Sequence, residues 1–169
     1  MIKVELDAFH LMQAVLQAER LTCFRKANDL QSHKIDKSRS LFEIEYIGQL
    51  GEHALKQHCK VKLPYILDAK GDGGTDIVLL GYKAQIKTVS SYAKVVHFGL
   101  FQTIHEFNSE LLIGVQIVNP NIALIHGFIT KTDFKSKAVQ DNFGYGQKWN
   151  VPANALTCLN DLRRVLLTR

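Results

Sequence analysis

The sequence contains no run of about 18 apolar residues, so no segment reads as a membrane-crossing helix. Cysteine is scarce: three residues, at positions 23, 59 and 158, with no C-x-x-C pair. An odd, widely spaced set argues against a disulfide framework or a structural zinc site and fits a reducing compartment. The seven histidines show no ligand spacing with those cysteines. The opening MIKVELD is broken by acids before an apolar stretch can form, so it does not read as a signal peptide. No internal repeat and no low-complexity tract is present. The glycines lack a following Gly-Lys-Ser/Thr, which excludes a phosphate-binding P-loop. The stretch DAKGDG has Asp68, Asp72 and Gly73 at the offsets of a calcium loop. Lys70, however, fills a ligand position and Leu79 stands where the bidentate glutamate belongs, so that reading is rejected. The expectation is a soluble, cytoplasmic protein.

What is present is enough for a core. The 169 residues are 46% hydrophobic, which suits one ordinary domain. Lysine and arginine outnumber aspartate and glutamate by 21 to 16, a net charge of +5. That excess permits an anionic partner, nucleic acid first, without requiring one.

Apolar spacing predicts helices over 6–27, 41–58 and 155–167, and a short basic helix from Lys131 around Phe134. Strands are expected over 60–67, 75–80, 82–89, 110–118 and 122–130. Pro64 argues that the first of these is an edge strand or bulged. The run ELLIGVQIV is apolar enough to be buried on both faces. Residues 94–107 read as mostly helix and 142–152 as a loop. The polar stretch 28–40 reads as a connection, with Lys34, Lys37 and Arg39 as a solvated or phosphate-contacting arm. Residues 1–40 then form an N-terminal helix and basic linker, and 41–169 the main domain, in one compact unit overall. The order of elements describes an α/β sandwich around a mixed sheet.

One stretch concentrates chemistry: GDGGTDIVLLGYKAQIK, residues 71–87. A hairpin turn centred on Gly81 and Tyr82 would put Asp76 opposite Lys87, with Gln85 and Lys87 on one face of their strand. A carboxylate, an amide oxygen and an ammonium would then meet at one end of the hairpin. A hard divalent cation such as Mg²⁺ takes oxygen ligands with only one or two carboxylates. The lysine would stabilise charge growing on a phosphoryl group or orient the attacking water. Glu43, Glu45 or Glu52 on the preceding helix would supply a second acid. Glu52 lies beside two glycines that let the helix approach the sheet, and Glu45 is seven residues before it on the same helical face.

With Glu52, Asp76 and Gln85-Ile86-Lys87, the chain resembles the PD-(D/E)xK nuclease superfamily, the restriction-endonuclease-like fold. The D-G-G-x-D stretch and the Q-x-K ending resemble the Mrr-type restriction endonucleases and related phage nucleases. Two departures stand out: Thr75 replaces the proline before Asp76, and Gln85 replaces the usual second acid. The resemblance spans half to two-thirds of the chain. It implies a helix-strand-strand-strand-helix-strand core and Mg²⁺- or Mn²⁺-dependent hydrolysis of DNA phosphodiesters. Asp76, Gln85 and Glu52 would be metal ligands and Lys87 the catalytic lysine; Glu45 competes with Glu52. The alternative is a nucleic-acid-binding module that keeps the fold without cleavage. Lys131, Lys135, Lys137 and Lys148, near Tyr145 and Trp149, form a basic and aromatic stretch that would track DNA backbone or simply meet solvent. A homodimer stays open, with no surface singled out for it.

Overall fold

The computed structural model describes residues 1–29, 38–60, 75–90, 96–142 and 146–167. The strand expected over 60–67 and the glycine-rich loop at 68–74 therefore lie almost wholly outside the described residues, as do Lys34 and Lys37.

Two capped helices open the fold. Helix α1 (Ala8–Ala27) starts at Asp7, whose side chain accepts the His10 N–H at 2.8 Å. Helix α2 (Leu41–Cys59) starts in a capping box. The Ser40 hydroxyl accepts the Glu43 N–H at 3.1 Å, and the Glu43 carboxylate accepts the Ser40 N–H at 2.7 Å. Before α1 the sequence reading missed a four-residue strand, β1 (Ile2–Glu5). The expected hairpin forms β2 (Ile77–Leu79) and β3 (Tyr82–Val89), and β5 (Leu111–Asn119) and β6 (Ile122–Thr130) follow as expected. These make one mixed sheet in the order β1-β6-β5-β3-β2, parallel only between β3 and β5. The basic helix appears as α3 (Lys131–Lys137).

The sheet is buried on both faces by different means. Leu111, Ile113 and Val115 of β5 join Ala84 and Ile86 of β3 in a core under α2. Leu112 points the other way, into a second core with Phe98, Phe101, Phe107, Phe134 and Val151. This explains why β5 reads as a continuous apolar run.

Three sequence expectations need correcting. Residues 94–107 are not mostly helix: among those described they form β4 (His97–Phe101) and a single 3-10 turn, Ile104–Glu106. Gly99 has φ +87°, outside helical space, and the ladder shifts register between Phe98 and Phe101. The loop expected over 142–152 contains β8 (Gln147–Pro152), which pairs with β4 and with β7 (Val139–Asn142) in a second sheet. This three-stranded sheet lines the aromatic core, where a helix was expected. The helix expected over 155–167 shrinks to α4 (Leu162–Leu167), preceded by 3-10 turns. Thr157 is held extended against β6, trading main-chain hydrogen bonds of 2.8 Å each way with Phe128.

Helix α2 lies unusually close to β3. A Cβ placed on Gly51 would run into the Thr88 side chain, with Cγ2 only 2.8 Å away. Overpacking of this kind typically costs 1–3 kcal/mol, roughly. Gly48, its partner in GQLG, has open space around it.

Helix α1 packs on α2 through Ala14 and Ala18, both fully buried, with Leu11 partly buried against the same core, while Phe9, Met12 and Leu16 stay exposed. His53 is clamped at that interface, 1% exposed. Its Nε2 lies 3.2 Å from Gln17 Oε1, so this nitrogen donates, and Nδ1 has no hydrogen-bond partner among the described residues. Burial pushes the His53 pKa down to about 4; the charges of Lys56 and His10 add to this and Asp7 opposes it. Protonation would create a buried N–H at Nδ1 with no acceptor. In the unfolded chain His53 regains an ordinary pKa of about 6.5, so between these values the unfolded state binds the extra proton. The contribution is therefore complete above about pH 6.5 and lost as pH falls towards 4, a change on the order of 3 kcal/mol. Urea unfolding across this range should show a shallower pH slope for His53→Leu than for wild type. Parallel slopes would show that His53 is not held neutral by the fold.

Candidate functional site

The hairpin turn differs from the expected one by one residue. Leu80 (φ +52°) and Gly81 (φ +88°) are the central pair, and Leu79 faces Tyr82 directly. Two positive φ values match the twist of a two-residue hairpin loop. Ile77 then faces Ala84, so Asp76 lies opposite Gln85 and not opposite Lys87 as first expected. The strand phase is unchanged. Ala84, Ile86 and Thr88 face α2, and Gln85 and Lys87 face the second core.

Asp76 sits where β2 leaves the ladder. Its N–H donates to the Ala84 carbonyl at 2.9 Å, and its carboxylate Oδ2 accepts the Ile86 N–H at 2.5 Å. One acid thus closes the end of the hairpin and is fixed in orientation beside Gln85. Just before it, the Thr75 hydroxyl lies 3.3 Å from that of Ser109, a fully buried residue leading into β5.

Gln85 is half-buried, and its Oε1 is shut away from water without a hydrogen-bond partner among the described residues. A buried acceptor left unmet costs roughly 1–3 kcal/mol, and Gln49 Oε1 on α2 is in the same condition. Lys87 holds its ammonium 5.1 Å from the centre of the Phe101 ring. Phe101 is itself braced by Phe107, stacked at 5.8 Å, and by Phe134, edge-on at 5.6 Å. The cation–π contact tethers the lysine by about 0.5–1 kcal/mol. Beyond Lys87, the Arg39 guanidinium donates to the Ser90 hydroxyl at 2.7 Å and anchors the end of β3.

The helix glutamates are now distinguishable. Glu43 is committed to the capping box. The Glu45 carboxylate meets Arg25 of α1 at 2.8 Å; burial raises its pKa and Arg25 draws it back. Glu52 follows Gly51, the residue pressed against Thr88, and so stands at the level of Lys87 and Thr88 along β3. Its Oε1 accepts from Gln49 Nε2 at 3.1 Å.

The structure therefore brings Asp76, Gln85 and Lys87 together on adjacent strands, with Glu52 approaching from α2 on the opposite side of β3. Among the described residues no three His, Cys, Asp or Glu side chains converge, so any cation here would rest on carboxylates supplemented by the Gln85 amide. Of the basic stretch, Lys135 and Lys137 are exposed on α3, Lys131 is half-exposed, and Lys148 is buried at 8% exposure on β8. Phe101, Ser109 and Ser90 were missed in the sequence. The aromatic and β-branched run VHFGLF was a strand signal, but the bulge at Gly99 brings Phe101 inward out of phase with Val96 and Phe98; nothing local marked the two serines. Comparison of the chain with protein-family models and with curated proteins yields no match.

The unmet amide oxygen has a measurable consequence. Gln85→Met keeps the volume and removes the buried acceptor, so without divalent ions it should raise unfolding stability by about 1 kcal/mol. A variant no more stable than wild type by urea titration would show that the amide is satisfied in the folded protein.

Proposed function

We propose that the chain is a divalent-metal-dependent nuclease acting on DNA, with a restriction-endonuclease-like core. The observation that carries this reading is the buried Gln85 amide oxygen, without a hydrogen-bond partner among the described residues, beside Asp76 and on the same strand face as Lys87. That donor set fits Mg²⁺ or Mn²⁺: hard oxygens, one firmly oriented carboxylate, and one neutral oxygen in need of a partner. Asp76 and Gln85 would hold the ion; Glu52, expected from the sequence as a further ligand, lies across β3 from Gln85, bonded to Gln49, and is not assigned to it. Bound there, it would supply Lewis acidity towards a phosphoryl oxygen.

The chain's own residues would do the rest. Asp76, fixed by the Ile86 N–H, would keep its carboxylate aimed without reorganisation. Lys87 would set its ammonium against the charge that grows on the phosphate as the P–O bond breaks, and its tether to Phe101 would hold it at that face. Exposed Lys135 and Lys137, with a net charge of +5, favour a polyanionic partner.

Supercoiled plasmid incubated with protein and Mg²⁺ or Mn²⁺ should be nicked, and EDTA should stop the reaction. Asp76→Ala should abolish cleavage while preserving DNA retention. Lys87→Ala should slow cleavage at least a hundredfold, roughly, with metal affinity little changed by calorimetry. Full-rate cleavage by either variant would remove the assignment. DNA retention without nicking by wild type under any ion would favour the non-catalytic binding module instead.

A further inference from the structure

The turn between β2 and β3 places a leucine in a conformation that suits other residues. Leu80 has φ +52°, in the left-handed region favoured by glycine, asparagine and aspartate. Its side chain is 52% exposed, so core burial does not offset the strain. Strain of this kind is kept where the residue has a use. Leu80 is one wall of a cleft of about 340 Å³ between the hairpin turn, the last turn of α2 and the start of α4. The cleft lies at the end of the hairpin away from Asp76. Its floor is aliphatic, built from Leu79, Leu159 and Leu162, each no more than 7% exposed. Its volume falls at the lower end of small-ligand sites, roughly 300–1,000 Å³.

The rim is polar. His58, Asn160 and Arg163 stand there, and none of these side chains has a hydrogen bond or ion pair among the described residues. Among the described residues no acid lines the cleft; the neighbouring Asp161 carboxylate is taken by Arg164 at 3.2 Å. We propose that this cleft binds a small aliphatic carboxylate. Its chain would lie on the leucine floor and its two oxygens on the planar Arg163 guanidinium, with the Asn160 amide as a further donor. The lining selects that class. No Phe, Tyr or Trp ring is present for a nucleobase to stack on. A single guanidinium with no lysine beside it matches one negative charge. An aliphatic cation would meet Arg163 with no acid to balance it.

Octanoate is a suitable probe. Titrated into the full chain in EDTA, it should give saturable NMR shifts at the methyl groups of Leu79, Leu80, Leu159 and Leu162. Half-saturation is expected at or below about 1 mM. EDTA keeps this result separate from any metal at Asp76. Acetate, which lacks the chain, and octyltrimethylammonium, which reverses the charge, should each bind roughly tenfold more weakly. Arg163→Glu should weaken octanoate by roughly tenfold or more; the position is exposed, so a folded variant is expected. Leu80→Asn separates binding from structure. Asparagine suits the turn, so the urea midpoint should rise while octanoate affinity falls. No saturable shift at these leucines, equal binding of octyltrimethylammonium, or full octanoate affinity in Arg163→Glu or Leu80→Asn would each overturn the proposal.

Discussion

The arrangement depends on one close contact, Gly51 of α2 against Thr88 of β3. Only a residue without a side chain lets the helix axis come that near the strand. The contact does two things at once. It sinks Leu50, Ala54 and Leu55 into the core against Ala84 and Ile86. It also sets the height of Glu52 relative to β3, the strand whose opposite face presents Gln85 and Lys87. Packing on one side of β3 and chemistry on the other are therefore linked through a single backbone. A shift of the helix would be felt in the strand, because interiors near crystal packing density transmit displacement more readily than they absorb it.

On the far face the support is aromatic. Phe101, Phe107 and Phe134 form a braced cluster under the Lys87 ammonium. The second sheet that delivers Phe101 is tied together by Asn150. It accepts from His97 Nδ1 on β4 at 2.6 Å, and donates to the Val139 carbonyl and the Asp141 carboxylate on β7, both at 3.2 Å. All three strands are thus joined through one fully buried amide. Here the buried polar groups are paired, as is usual. The Gln85 oxygen on the neighbouring sheet departs from that rule, and departures of this kind concentrate where a protein gives up stability for function.

Much of the frame was legible in the sequence because it obeys local rules. The apolar period of α2, the two-faced run of β5 and the β6 strand all follow from spacing alone; the capping box at Ser40 was not read in advance. The candidate residues Asp76, Gln85 and Lys87 were legible because strand alternation survives small errors in the turn. Placing the turn one residue late altered which residue faces Asp76 but not which face it shares, since moving the turn centre by one residue shifts cross-strand partners by two. The misses have tertiary causes. Gly99 at positive φ turned an apparent helix into a bulged strand. Contact with Phe128 held Thr157 extended where propensity favoured helix. In α1 the large apolar residues suggested a buried face, yet the tight fit to α2 selected alanines for it. Local spacing had no means of telling these two faces apart.

The central claim is that Gln85 and Asp76 share a divalent cation. The most direct measurement is a crystal structure grown with Mn²⁺, with anomalous scattering locating the ion. The expected result is a peak bonded to the Asp76 carboxylate and to Gln85 Oε1. A structure at saturating Mn²⁺ with no ion at Asp76, or with an ion there and Gln85 Oε1 bonded to protein instead, would contradict the account.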